Sequence, residues 1–162
     1  MTANDFINNW KDKRDPDGTP MVGIVVCWEK ISPQSNVIRV TGQDAWQNIL
    51  EFAPPWHLNG VVKPFKEWLE TKEFLEEVER ERITGKLGHY EEKGLEFPHF
   101  CVFANENGLK GIVGDGNHRF LNCKFLESQG KDFKQDIARC TLDILCLNNL
   151  SEVIQDTVFP SY

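Results

Sequence analysis

Short apolar runs separated by turn-forming residues divide the first third of the chain into strands and one helix. The valine-rich run at 21–29 predicts a buried strand, residues 32–36 a turn and residues 37–40 a second strand. A short helix should begin at Thr41 or Asp44 and end before the proline pair at 54–55. Residues 1–20 contain a stretch of charges and turn formers and are expected to form a loosely attached, mobile arm.

Helical spacing follows Pro64, which is well placed as a first helical residue. The apolar residues at 65, 68, 69, 75, 78 and 83 predict an amphipathic helix, or a helix pair broken near Thr71. The glutamates between them are expected to form a solvated face with i,i+4 ion pairs. Gly85 and Gly88 should end the helix.

The last third of the chain combines a hairpin, a helix and a further strand. Residues 98–104 and 109–113 predict two strands joined by a turn at 105–108, and residues 119–128 predict a helix that ends at Gly130. Alternation over 139–147 predicts a strand covered mainly on one face, and Ser151 is a plausible cap for a helix at 152–157. The pattern predicts an α+β fold, a small mixed sheet packed by helices.

The composition is that of an ordinary globular domain. The 162 residues are 40% hydrophobic and 27% charged, which excludes disordered and fibrous classes, and residues 21–162 are expected to form one domain. The net charge of -7 argues against binding nucleic acid or acidic membranes through bulk charge. Five scattered cysteines without a C-x-x-C pair predict reduced thiols in the core. With no signal-peptide pattern and no run of about 20 apolar residues, we expect a cytoplasmic protein without a membrane partner.

The turn at 114–119, Gly-Asp-Gly-Asn-His-Arg, carries the strongest chemical signal because it joins an apolar strand to a helix. Its two glycines permit positive φ, so that successive N–H groups can converge on an anion, and the helix start adds unpaired donors. Arg119 offers a planar fork for phosphate oxygens, and His118 a second donor or a proton carrier. Asp115 is a candidate ligand for phosphate-bound Mg²⁺.

The same residues also fit an ordinary turn. Asp-Gly is a common turn pair, Asn117 is a good helix cap, and Arg119 can pair with a surface carboxylate. The segment is not a Walker loop, because Lys and Ser/Thr do not follow the second glycine. It is not a dinucleotide fingerprint either, because Arg119 stands where the third glycine belongs.

The order of strand, Gly-Asp-Gly-Asn-His-Arg turn, helix and strand resembles the ParB/sulfiredoxin superfamily. Its members carry variants such as Gly-Glu-Arg-Arg, Gly-Gly-Cys-His-Arg or Asp-Gly-His-His-Arg at this place. The segments around 25–33 and 97–98 are similar to the superfamily's first strand and to the entry of a later one. The resemblance covers roughly residues 21–158, of which only the motif at 114–119 is specific.

This resemblance implies a nucleotide site and also limits the function. Asn117 replaces the catalytic cysteine of sulfiredoxins, which argues against their repair chemistry. Little chain follows the strand at 139–147, which is expected to leave no room for the further domains of partition proteins. The motif is closest to stand-alone ATP-using members and to free-serine kinases. In that family a glutamate near the first strand acts as a base, and Glu29 falls about there, although it also fits an ordinary strand-end carboxylate.

The leading hypothesis is therefore a Mg²⁺-dependent hydrolase or phosphotransferase that binds ATP or another nucleoside triphosphate. Backbone donors would come from Gly114, Gly116 and Asn117, the two cationic side chains of the motif would stabilise charge, and its aspartate would hold the metal or act as a base. Two alternatives stay open: a ParB-like nuclease or DNA-binding accessory protein, and a non-catalytic protein-interaction module on the same fold.

Other candidate residues lie outside the motif. Lys63 is a candidate phosphate contact, although lysines at helix starts are usually solvated. The aromatic loop at 54–57 would either stack on a base or cover an edge of the core. His89 and His99 lack ligand spacing and are expected to be structural or on the surface. Between 110 and 139, six basic residues outnumber four acidic ones, which suits one polyphosphate better than a long duplex.

Overall fold

A mixed four-stranded sheet forms the centre of the computed structural model, which describes residues 1–16, 18–55 and 63–154. In the order β1-β4-β2-β3, β4 pairs antiparallel with β1 and parallel with β2, and β3 pairs antiparallel with β2. β3 is thus an edge strand. The strands are β1 (Asn36–Thr41), β2 (His99–Ala104), β3 (Gly111–Asp115) and β4 (Thr141–Cys146).

Helices pack on both faces of this sheet, and the predicted α+β class is confirmed. In the described ranges the helices are α1 (Ala3–Trp10), α2 (Gly42–Asn48), α3 (Phe65–Trp68), α4 (Lys72–Ile83), α5 (Lys86–Lys93), α6 (Asn117–Ser128), α7 (Lys134–Ala138) and α8 (Leu150–Val153). None of them is long and apolar enough to cross a lipid bilayer.

Two hydrophobic clusters hold these layers together. Successive residues of β2 join different clusters, because side chains along a strand point to alternate faces. Phe100 and Val102 belong to the larger cluster, which residues of α2 to α7 complete, whereas Cys101 and Phe103 belong to the smaller cluster with α1 and α8. Four of the five cysteines, at 101, 123, 140 and 146, are buried and free, as predicted, whereas Cys27 is free and only partly buried.

Several predicted elements are confirmed within a residue or two. β1 and α2 have the predicted positions. The helix pair is broken at Thr71, whose Oγ1 accepts the N–H of Phe74 at the start of α4. The hairpin turn at 105–108 closes through an N–H···O bond from Asn105 to Lys110. α6 ends at Ser128 with Gln129 as its C-cap, and the following Gly130 has φ 98°, the left-handed conformation typical after a helix.

The expectation of a loosely attached arm is wrong for α1. Thr2 and Asp5 form a capping box, in which each side chain accepts the other residue's N–H. Ala3, Phe6 and Trp10 form a buried stripe, and Phe6 packs edge-on against Phe103 with ring centroids 5.5 Å apart. Burial of this apolar stripe therefore docks α1 on the domain, although the residues that follow it are charged.

The valine-rich run at 21–29 is not a strand. Its backbone bonds elsewhere: the N–H of Gly23 donates to Gly114 and that of Cys27 to Val153, and residues 28–30 form a 3₁₀ turn. The run covers the smaller cluster, with Val22 buried and Ile24 partly buried. Burial therefore explains its apolar character without a sheet ladder.

Other boundaries also need correction. β3 lies two residues later than predicted, Pro64 precedes α3 instead of starting it, and Gly88 lies inside α5. β4 is covered on both faces, because Leu142 packs in the larger cluster and Leu145 in the smaller one. Helix α7 was not predicted. The residue preceding α8 is Asn149, not Ser151, and the rest of the helix expected at 152–157 lies outside the described residues.

Candidate functional site

The turn between β3 and α6 depends on two glycines for different reasons. Gly116 has φ 104°, and a Cβ there would collide with Phe100 Cδ1. Gly114 lies inside β3 without positive φ, and its Cβ would lie 2.5 Å from Phe103 Cε2. The expected nest built from two positive-φ glycines is therefore wrong: Gly116 provides the left-handed turn, and Gly114 provides room for a ring.

Asp115, the last residue of β3, forms a buried ion pair with Arg119 in the first turn of α6. Arg119 Nη2 donates to Asp115 Oδ2 at 2.7 Å, and Nη1 donates to the carbonyl of Phe97. Burial raises the pKa of Asp115, and the charge and hydrogen bond of Arg119 oppose that shift. The guanidinium lies over the Phe100 ring, 5.0 Å from its centroid. Arg119 thus faces the interior, where it links the start of β2 to the end of β3.

This geometry changes the roles predicted for both residues. The planar fork expected to grip phosphate already binds a carboxylate and a carbonyl. The Asp115 carboxylate, bonded to a guanidinium and largely removed from water, does not fit Mg²⁺, which keeps several waters when it binds carboxylates. We therefore assign no step to a metal or a base at Asp115.

His118 is the residue of the motif that combines exposure with a fixed orientation. Its side chain is 44% exposed, and its Nδ1 is 2.7 Å from Oε1 of Glu81, a residue of α4 whose side chain is only 4% exposed. Asn122 Nδ2 donates to the same Oε1 at 2.8 Å and to the His118 carbonyl at 2.7 Å. Burial raises the pKa of Glu81, but the hydrogen bonds from His118 and Asn122 and the nearby positive charges outweigh it, so that the pKa lies below its ordinary value.

The buried face of α4 brings a second glutamate to this place. Glu77, one turn before Glu81, is also largely buried and is bonded to Arg80. One ligand atom each of Glu77, Glu81 and His118 lies within 4.8 Å of the others. The glutamate-rich face was expected to be solvated with i,i+4 pairs, but the pairs of this helix are i,i+3 and two of its glutamates face the interior.

The sequence contained a usable signal for these glutamates. Positions 74, 77, 78 and 81 follow helical spacing, so the apolar pair Phe74 and Val78 places Glu77 and Glu81 on the same stripe. The apolar residues at 75 and 83, which were expected to complete the apolar face, are instead 55% and 82% exposed.

Tyr90 of α5 is a further residue that sequence reasoning missed. Burial raises its pKa to about 12, and the charges of Arg119, Glu81 and Asp115 all act on it. No local pattern around residue 90 indicates this burial, because it depends on how α5 packs against α6.

A lysine from the N-terminal segment also lies near the site. Lys13 follows α1, packs over the Trp10 ring and acts through its charge on Asp115 and on His99. The segment runs past the end of β3, since Gly23 donates its N–H to the Gly114 carbonyl. The part of the chain expected to be a mobile arm thus contributes positive charge near the motif.

The structure does not bring the remaining candidates to this place. Glu29 is exposed in the 3₁₀ turn beside α8, and no hydrogen bond or ion pair recorded among the described residues joins it to the motif. Lys63, which precedes α3, likewise has no recorded hydrogen bond or ion pair with the motif among the described residues. His89 is bonded to Glu96 and His99 to Thr141, both at the surface as expected. Residues 56–57 of the aromatic loop lie outside the described ranges.

A cleft of about 590 Å³ lies at the opposite end of β3, between the residues around 51–53, 64–67 and 108–111. It includes none of the predicted site residues. The motif and this cleft are therefore separate features.

We find no match to this chain among protein-family models, curated proteins or solved structures. The resemblance to the ParB/sulfiredoxin superfamily therefore stays a prediction. The site must be interpreted from its own geometry.

That geometry combines two chemical features. A twelve-residue helix, α6, begins at a left-handed glycine, which has no side chain to cap the first turn. A half-exposed imidazole in its first turn is oriented by a buried carboxylate. The first feature attracts anions, and the second is typical of groups that carry a proton or bind a ligand.

Proposed function

We propose that the protein binds a nucleoside triphosphate with its phosphate chain at the start of α6, and that it hydrolyses the nucleotide or transfers a phosphoryl group. The observation that carries this proposal is the helix start at Gly116, an N-cap residue that has no side chain to cap the first turn. The amides of a first turn have no partner within the helix, and the helix dipole places partial positive charge there. Phosphate oxygens supply the acceptors that such a turn needs.

His118 supports the proposal as the polar side chain next to these amides. Its Nδ1 is held by Glu81, so the ring is oriented, and we assign its Nε2 to the phosphate or to the transferred proton. Lys13 adds positive charge near the same turn. Arg119 acts as a positioning residue, because it fixes the end of β3 through Asp115 and the start of β2 through Phe97.

Mg²⁺ enters this proposal only with the nucleotide, as its solution complex. There the ion neutralises part of the charge of the phosphate chain. The chain's own contribution consists of the oriented imidazole, the first-turn amides and the nearby lysine.

Calorimetry on EDTA-treated protein with the Mg²⁺ complexes of ATP, CTP, GTP and ADP tests this proposal. We expect saturable binding of at least one triphosphate, and a stabilisation of about 2.7 kcal/mol when the nucleotide is present at about 100 times its dissociation constant. His118→Ala should weaken binding at least tenfold, roughly the loss of one charge-assisted hydrogen bond.

His89→Gln is the matched control, because His89 forms the same kind of contact with a glutamate at the surface of α5. It should bind nucleotide like the wild type. Absence of binding for all four nucleotides, or equal weakening by the two variants, would contradict the proposal. Steeply salt-dependent DNA binding without nucleotide binding would favour the nuclease alternative.

A further inference from the structure

Two buried carboxylates and an imidazole converge between α4 and α6. Glu77 is 9% and Glu81 3% exposed, and a ligand atom of each lies within 4.8 Å of the other and of one His118 nitrogen. Two like charges so close together in a buried place repel each other and lose hydration, which makes a shared cation favourable. The cation that contacts Glu77 belongs to Arg80, whose side chain is 68% exposed.

A fourth side chain at the same place has an unsatisfied group. Asn122 is fully buried, and its Nδ2 donates to Glu81 Oε1 and to the His118 carbonyl, which directs the amide toward the cluster. Its Oδ1 accepts no hydrogen bond from any described residue. Buried acceptors are nearly always paired, so this oxygen indicates a missing donor.

We propose that Glu77, Glu81 and His118 bind a divalent first-row transition metal ion, with water as a further ligand that donates to Asn122 Oδ1. Carboxylate and imidazole together suit ions such as Mn²⁺, Fe²⁺ and Zn²⁺, whereas Mg²⁺ prefers oxygen ligands alone. Three protein ligands and a water leave an exchangeable position, as in catalytic metal sites. Asn122 positions the metal-bound water and Glu81, in the way that outer residues orient metal ligands.

Small movements complete such a site. A metal at about 2.0–2.2 Å from each ligand atom requires the three atoms to move slightly closer together. The hydrogen bond between His118 Nδ1 and Glu81 is then replaced by two bonds to the metal. Any proton on the ligating nitrogen leaves to solvent, so the affinity should fall in acid. The site does not depend on nucleotide binding.

Electron paramagnetic resonance of Mn²⁺ titrated into metal-stripped protein, without nucleotide, tests the proposal. Mn²⁺ is the suitable probe because its preference for oxygen ligands avoids the five cysteines. We expect one bound ion per chain. Glu77→Gln and Glu81→Gln should each weaken binding by more than roughly tenfold, and Asn122→Leu by less than either. Excess Mg²⁺ should displace Mn²⁺ poorly.

Glu76→Gln is the matched control, because Glu76 lies on the exposed face of the same helix and its replacement changes the charge equally. It should bind Mn²⁺ like the wild type. Circular dichroism establishes that each variant is folded, and Glu77→Gln alone suffices if Glu81→Gln does not fold. Equal weakening by Glu76→Gln and Glu77→Gln, ready displacement by Mg²⁺, or no saturable binding would each overturn the proposal. Because the nucleotide measurement uses metal-stripped protein, the two proposals can fail separately.

Discussion

Helices α5 and α6 begin in the same way but in different surroundings. Gly85 precedes α5 with φ 86° and Gly116 precedes α6 with φ 104°, and neither glycine has a side chain that could cap its helix. A Cβ at Gly85 would meet no described atom within 4 Å, whereas one at Gly116 would collide with the Phe100 ring. One start lies at the surface, and the other is packed against the sheet.

The histidine in the first turns of these helices shows the same contrast. His89 of α5 lies 2.6 Å from Glu96, whose side chain is 43% exposed, and His118 of α6 lies 2.7 Å from Glu81, whose side chain is 4% exposed. The contact distances are nearly equal. Only the second pair has a buried carboxylate with a further donor, Asn122.

The local motif does not by itself make the site. A left-handed glycine followed by a histidine that contacts a glutamate occurs twice in the described part of this chain. Burial of the carboxylate, which comes from the packing of α4 against α6, distinguishes the second case. Interactions in such a place are stronger because water does not screen them.

Alanine at the two glycines should give the largest difference in stability. Gly116→Ala combines a left-handed backbone with a collision against Phe100 and should lower the free energy of unfolding by about 3 kcal/mol or more. Gly85→Ala should cost about 1 kcal/mol, from the backbone alone. Urea denaturation measures both. Equal losses would show that the α6 start is no more tightly packed than the α5 start.

Removal of the two glutamates should give a smaller difference. Glu81→Ala removes the buried carboxylate that contacts both His118 and Asn122 and should lower the free energy of unfolding by about 1–3 kcal/mol. Glu96→Ala removes an exposed pair and should cost less than about 1 kcal/mol. Thermal unfolding at neutral pH in EDTA compares them, and a larger loss for Glu96→Ala would contradict the role given to burial.

The smallest effect concerns Tyr90, which belongs to α5 but lies among the charges of the α6 region. Its folded-state pKa is raised to about 12, mainly by burial. A group with a raised pKa stabilises the fold below its unfolded pKa of about 10 and loses that contribution as the pH rises toward the folded value. Wild type should therefore lose stability between about pH 10 and 12 relative to Tyr90→Phe.

An ultraviolet titration of phenolate absorbance measures this pKa directly. The chain has two tyrosines, so the signal that remains in Tyr90→Phe comes from Tyr162. The late step near pH 12 should disappear in the variant. A wild-type titration with both phenols near their ordinary pKa would show that Tyr90 is not held in the site.

The elements whose signals are local could be predicted from the sequence. The hairpin between β2 and β3 and the end of α6 at Gly130 depend on turn formers and on a left-handed glycine, which act within a few residues. The run at 21–29 could not be predicted correctly. Its apolar residues have the composition of a strand, and only the surrounding structure decides whether they pair in a sheet or cover a cluster.

The candidate site divides in the same way. The motif at 114–119 and its place between a strand and a helix followed from the sequence. The inward direction of the Arg119 side chain could not be predicted from the sequence, because it depends on the carbonyl of residue 97 and a carboxylate at the end of β3. Glu77 and Glu81 come from α4, and their approach to His118 follows from packing. Tyr90 comes from α5, and its burial also follows from packing.

Periodicity, glycines and turn residues by themselves determined the α+β class, most element positions and the location of the motif, because these depend on interactions between neighbours along the chain. The tertiary structure alone decided that the N-terminal residues dock, that Arg119 pairs with Asp115 and that two glutamates of α4 face His118. These outcomes depend on which distant groups share a place from which water is largely excluded, and that arrangement is set by the packing of helices on a sheet.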